Sequence, residues 1–344
     1  MFASALVRSV HVLSVPTRLW TAALMAVFLL LLLESPSSAQ SVQAELSQMQ
    51  KNGGYHLGAV QGNRVVTVSF ADGTFTESKP VTEKGSPMYG TVSPDGKRVA
   101  MTVCLPPGLT HPKPNVTNCP GGFALVIVGT DGADLREYPE ISGSGLMSCW
   151  SHDMSRLVLI MDDRRHPTRM PSSLQILDLK SGLAEVIADG PDVFANEQCW
   201  SPEDKKILYT VNKVRGVQTV RLYDTETKTT KDIADGGRAS WSPDGNWMTF
   251  LHCPPSLQGC AYKGIRVSSG EEKLFFRAEA QSSLSWSPDS RFVAYVSAAS
   301  AAERKPSEME REMLRLRVRR LDDGQESSFH DFFDGDIMWF NWVN

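Results

Sequence analysis

The chain has 344 residues, 41% of them hydrophobic and 22% charged, with a formal net charge of −4. That composition fits a globular chain of one large domain or two ordinary ones. That charge balance gives no electrostatic footprint for nucleic acid, whose binders usually show a basic face, so nucleic acid is not an expected partner.

Residues 1–39 read as a signal peptide. Arg8 and Arg18 supply the positive amino-terminal region, Trp20 to Leu33 the apolar run, and Ser37-Ser38-Ala39 the small residues before a cut at Gln40. The run is 14 residues long, short of the roughly 20 needed to span a bilayer as a helix. An uncleaved signal anchor is the alternative; after cleavage no membrane span is expected. No cysteine follows the run to carry a lipid. Residues 40–54 then form a polar lead-in, a short helix or a flexible segment.

From Tyr55 onward the pattern is all-β. Tyr55–Val60, Arg64–Phe70 and Thr74–Val81 are three short runs separated by turn residues, an incomplete unit. A repeated grammar follows. Val92-Ser93-Pro94-Asp95-Gly96, Trp150-Ser151-His152-Asp153-Met154, Trp200-Ser201-Pro202-Glu203-Asp204, Trp241-Ser242-Pro243-Asp244-Gly245 and Trp286-Ser287-Pro288-Asp289-Ser290 are copies of one phrase. Their serines lie 58, 50, 41 and 45 residues apart. Each copy precedes an apolar run, then a third run ending in turn residues such as Lys180-Ser181-Gly182, and a fourth such as Leu183–Ile187. Four short strands per repeat of this length make a propeller blade.

Ser-Pro-Asp-Gly suits a type I turn, with Pro presetting φ at the second position. The Trp before it is large enough to wedge between twisted sheets. Ile337 to Trp342 reads as a first strand with its own Trp. Joined to the three opening runs it completes a sixth blade, closing a six-bladed β-propeller of four-stranded antiparallel blades over residues 55–344. Closure would remove the exposed sheet edges.

The recurring phrase followed by an apolar strand resembles the repeat of TolB-type propellers, which also occurs in the amino-terminal propellers of prolyl oligopeptidase-like enzymes. The resemblance covers almost the whole chain after residue 39 and implies a propeller that is often exported and often a platform for partners. The chain departs from TolB in leaving no room for its preceding α/β domain. It departs from the peptidases in having no G-x-S-x-G phrase and no hydrolase domain. His152 and Met154 break the phrase in one copy, which predicts a modified turn there.

Export makes the six cysteines readable as disulfides. Cys104 with Cys119, and Cys253 with Cys260, bracket loops between neighbouring strands. Cys149 and Cys199 occupy equivalent places in successive repeats and are either bridged or buried thiols. No C-x-x-C pair supports zinc, and no metal or cofactor is expected.

The loops between second and third strands are the unusual ones, and they share the face opposite the Ser-Pro-Asp turns. Binding tends to gather on such loops. They hold the candidate binding residues His111, Asp162, Asp163, Arg164, Arg165 and His166, with His252 beside them. Asn115-Val116-Thr117 is a glycosylation acceptor if the host glycosylates exported proteins. Ala298 to Met313 reads as a short helical insertion or a solvated loop. The expected function is a non-catalytic scaffold, monomeric and exported to the periplasm or medium, that binds a protein or peptide on its loop face or at the channel mouth. The alternative is a carbohydrate-active, lyase-like enzyme with a glycan at the channel mouth.

Overall fold

The computed structural model describes residues 38–83, 86–105, 123–138, 141, 148–162, 171–191, 193–196, 198–213, 217–254, 259–278, 284–298, 313–333 and 340–343. Helix α1 (Ser38–Lys51) precedes β1 (His56–Gln61), β2 (Arg64–Val68) and β3 (Phe75–Glu77). Five four-stranded units follow. They are β4 (Ser86–Val92), β5 (Arg98–Cys104), β6 (Phe123–Gly129) and β7 (Arg136–Tyr138); then β8 (Ser148–Trp150), β9 (Arg156–Asp162), β10 (Pro171–Asp178) and β11 (Ala184–Pro191). Next come β12 (Val193–Phe194), β13 (Lys206–Asn212), β14 (Gln218–Asp224) and β15 (Thr229–Asp235), and β16 (Gly237–Trp241), β17 (Trp247–His252), β18 (Cys260–Arg266) and β19 (Glu272–Ala278). The chain ends with β20 (Leu284–Trp286), β21 (Phe292–Ala298), β22 (Met313–Arg320) and β23 (Glu326–Phe333), followed by β24 (Asn341–Val343).

These strands form six antiparallel sheets of four. Blade 1 has the order β24-β1-β2-β3, and blades 2 to 6 are built from consecutive strands. Ring closure is therefore as the sequence implies. Trp342 pairs with Leu57, and Asn341 with Gly58. The closing Trp is Trp342; Ile337 to Trp339 lie outside the described residues, as do most of Ala298–Met313 and both His111 and Asn115.

The phrase forms the same turn in every copy. Each serine is fully buried, and its hydroxyl oxygen accepts the main-chain N–H five residues on, at 2.8–3.1 Å, from Arg98, Arg156, Lys206, Trp247 and Phe292. In four copies the hydroxyl also donates to the carboxylate two residues on, Asp95, Asp153, Asp244 or Asp289. The fourth residue of the turn has positive φ throughout, from 54° at Asp204 to 71° at Gly245. The modified turn expected at His152 and Met154 is not found. Met154 takes φ 58° and donates its N–H to Ser151, as Gly96 does to Ser93. A left-handed non-glycine residue costs roughly 1–2 kcal/mol, which the surrounding hydrogen bonds offset.

Between the blades lies one apolar layer per seam. The four phrase tryptophans and the closing Trp342 fill five of them: Trp150, Trp200, Trp241, Trp286 and Trp342 are 1–5% exposed. Each reaches back onto the preceding blade. Trp200 Nε1 donates to the Cys149 carbonyl, Trp286 Nε1 to Thr249 Oγ1 and Trp342 Nε1 to the Ser285 carbonyl. Arg98 and Arg156, first residues of their strands, stack over Trp150 and Trp200 at 5.1 and 4.5 Å.

The lead-in segment is helical. It begins at Ser38, two residues before the expected cut, and runs along the seam between blades 6 and 1. Val42 and Leu46 are buried there against Phe70, Leu316 and Phe329. Glu45 accepts from Arg291 and Arg320, both at 2.6 Å. Gln50 donates to the Val68 carbonyl and accepts the Phe70 N–H. The helix ends as Gly53, at φ 73°, turns the chain.

Two measurements check this account. Truncation before Phe340 removes β24 and Trp342, unpairs β1 and opens the layer between blades 6 and 1. Chemical denaturation should then show a loss of several kcal/mol, about the scale of removing a large buried aromatic; unchanged stability would contradict ring closure. Asp323, bonded by Arg320, and Asp72, bonded by Ser69 and Thr74, are each held at about 2. Their folded-state values lie below the unfolded ones. The stability they contribute is complete above about pH 4 and is lost as pH falls toward 2. Melting temperature should hold down to about pH 4 and decline below it.

Candidate functional site

Among the described residues, two cavities bear on function. The first is a funnel of about 240 Å³ at the channel mouth on the turn side. Its wall consists of turn prolines Pro94, Pro243 and Pro288, with His152 in the place of a fourth. Trp150, Trp200, Trp286 and Trp342 line it. The prolines are there because the turn needs φ near −65° at that position, so the rim is a by-product of blade punctuation.

Polar groups stand among these rings. Gln198 clamps the main chain of Trp286: its Nε2 donates to the Trp286 carbonyl at 2.8 Å, and its Oε1 accepts the Trp286 N–H at 2.6 Å. Its own carbonyl accepts the Trp241 N–H. One residue thereby ties blades 4, 5 and 6 around the channel. Among the described residues, Trp150 Nε1 and Asn341 Oδ1 have no hydrogen-bond partner, and both residues line the funnel.

His152 is held from behind. Asp204, at the left-handed position of the next blade's turn, accepts the His152 N–H at 2.8 Å, the Asp153 N–H at 2.9 Å and His152 Nδ1 at 2.9 Å. A proline at 152 would have no N–H to offer, so His152 and Asp204 work as a pair. Burial raises the Asp153 carboxyl, but the bonds from Ser151 and Ser155 outweigh it and leave the group below the ordinary range.

The same seam carries a disulfide. Cys149 and Cys199 are bridged, with Cα atoms 6.0 Å apart, which resolves the alternative left open by the sequence. The bridge joins β8 of blade 3 to the segment of blade 4 between β12 and Trp200. Cys253–Cys260 forms as expected across the β17–β18 hairpin. Cys104 is disulfide-bonded, and Cys119, its expected partner, lies outside the described residues.

The second cavity is a cleft of about 340 Å³ between blades 1 and 2. Val92 and Gly58 lie at its inner end, and Thr76, Glu77 and Ser78 of β3 at its outer end. His56 stands on its wall, and burial lowers the pKa of its imidazole below the ordinary value.

Of the binding residues expected from the sequence, Asp162 and His252 lie among the described ones. Asp162 ends β9, while Asp163, Arg164, Arg165, His166 and His111 lie outside the described residues. His252 ends β17 with Nδ1 against the Asp235 carbonyl at 2.9 Å. No group of three metal-binding side chains occurs among the described residues. Sequence reasoning did not pick out the residues lining the funnel as a site. Its one readable signal was His152 at a phrase position that elsewhere carries Pro; Gln198 gave none.

These features define a closed six-bladed propeller. No family model and no curated protein matches the chain. Solved structures do. The chain is similar to TolB from Acinetobacter baumannii, at 14% identity and a TM-score of 0.62, over 84% of this chain and 66% of that one. It thus spans just under two thirds of that protein. It is also similar to an oligogalacturonate lyase from Vibrio parahaemolyticus, at 15% identity and a TM-score of 0.52, over 79% of this chain and 74% of that one. The third is a chain of a nidogen/laminin complex, at 8% identity and a TM-score of 0.55, over 85% of this chain and 99% of that one. These likenesses show the fold.

The Cys149–Cys199 bridge generates a prediction. Replacing both cysteines by serine should cost about 2–4 kcal/mol in denaturant unfolding, with the six blades retained in circular dichroism. A double variant as stable as the parent would show that the Trp200 and Asp204 contacts alone hold this seam.

Proposed function

We propose that the protein is an exported, non-catalytic TolB-like propeller that binds a protein or peptide segment at its channel mouth. The observation that carries this reading is the funnel. It is concave, mostly aromatic and proline-lined, with a few fixed polar groups, the usual anatomy of a recognition site. The His152 side chain, 43% exposed, is a polar group at the rim that a peptide could meet. Likeness to TolB and to a propeller in a nidogen/laminin complex supports a partner-binding role. The disulfides Cys149–Cys199 and Cys253–Cys260 support an oxidising compartment, the periplasm or the medium. Among the described residues no helix is long and apolar enough to cross a membrane; this leaves β-barrels unaddressed.

Of the two places the sequence suggests, loop face and channel mouth, this reading takes the channel mouth on the face of the turns. The test uses a photo-crosslinking amino acid at Pro243 or Pro288, with Leu183, 73% exposed at the outer rim, as the control. In envelope or secreted extracts the funnel positions should capture a reproducible polypeptide and Leu183 should not. Equal capture at both places, together with turnover of oligogalacturonate, would replace this reading with the lyase-like one.

A further inference from the structure

We propose that the cleft between blades 1 and 2 binds a planar aromatic ring of indole size that carries a polar tail. The argument starts from a departure in the repeat. At five seams the residue before the turn serine, or its equivalent Trp342, is a tryptophan packed back onto the preceding blade. At the sixth it is Val92, buried at 3% exposure. Strand register makes the equivalence firm: Val92 pairs with Val99 as Trp150 pairs with Leu157, Trp241 with Met248 and Trp342 with Leu57.

The preceding blade is trimmed at the same place. Gly58 of β1 is the counterpart of Thr249 in β17, whose hydroxyl accepts Trp286 Nε1. A Cβ on Gly58 would meet Val343 Cγ2 at 3.6 Å and Val92 Cγ2 at 3.9 Å, ordinary contact distances. The absent side chain therefore enlarges the space without being required by the backbone. Both changes act on one volume, and the cleft opens there.

Composition of the seam points the same way. The other five layers each contain an aromatic ring. The layer between blades 1 and 2 is Val, Leu, Met and Ala among the described residues. His56 holds the strand position from which Arg98 and Arg156 stack on tryptophans, and it borders the cleft. An incoming ring finds apolar walls from Val65, Val92 and Val343 and a flat imidazole to stack on. Toward the outer strand it meets Thr67, Thr76 and Glu77, which would receive a polar tail.

The ring could arrive as a free small molecule or as a partner's tryptophan side chain, and the test separates the two. Free indole, N-acetyltryptophanamide and N-acetylleucinamide are titrated into the full protein while the methyl resonances of Val65, Val92 and Val343 are followed. The aromatic probes should shift these methyls saturably, and the leucine control should not. Tighter binding of the amide than of indole supports the site and assigns a polypeptide's tryptophan as the source; comparable binding of both supports it for a free aromatic; binding of indole but not of the amide would overturn the polar tail. Val92→Trp should restore the repeat, raise the melting temperature and abolish the shifts. Gly58→Val, which narrows the same space, serves as the second blocking variant should V92W fail to fold. Absence of saturable shifts with both aromatic probes, or shifts that persist in the blocked variants, would overturn the proposal.

Discussion

A buried serine hydroxyl holds this molecule together at five points. It accepts the N–H that starts the second strand of a blade and, in four copies, grips the aspartate of its own turn. An unmade bond in such a place costs about 1–3 kcal/mol, so the turn has little freedom. Because the turn is rigid, the residue before the serine is delivered to one spot on the preceding blade. That residue is where the ring gets its wedge, and the wedge sets how neighbouring sheets meet. Turn, wedge and seam are one mechanical unit repeated around the axis.

Much of this was legible in the chain because it is local. Ser-Pro-Asp-Gly specifies its own geometry, and recurrence assigned strand order, blade number and the closing partner of β1. Cys253–Cys260 was readable because a short loop decides it. What escaped depends on distances between blades. Gln198 reads as an ordinary polar residue until Trp286, 88 positions away, arrives across the channel. Cys149 and Cys199 could not be paired without knowing that their Cα atoms lie 6.0 Å apart. His152 and Met154 looked like damage to the phrase, yet the turn survived because its essential bonds come from Ser151 and Asp153. The value of Val92 lay in plain view as a weaker copy, but its meaning required the seam.

Function is written differently from fold here. The residues that build the blades are repeated, and a repeated residue tells a partner nothing about which blade it has met. Distinctions come from exceptions: His152 for Pro, Asp204 for Gly, Val92 for Trp, Gly58 for a side chain. Each relaxes one element of the unit while neighbouring contacts keep the geometry. The Asp204 carboxylate, for example, compensates its strained backbone with three bonds to the preceding turn. Recognition surfaces on such a ring are best sought where symmetry is broken.

The pairing of β24 with β1 also has a consequence in time. These partners are separated by nearly the whole propeller, so their contact carries the largest loop-closure entropy in the fold. Blades 2 to 6 contain only consecutive strands and can assemble as they emerge. Blade 1 must wait, with the inner edge of β1 unpaired and available to other strands. Helix α1 supports that waiting seam from the side, since its bonds to Val68 and Phe70 involve only residues already made. The last step of folding is thus a latch. Any condition that delays the final strand lengthens the period in which two such molecules could latch onto each other.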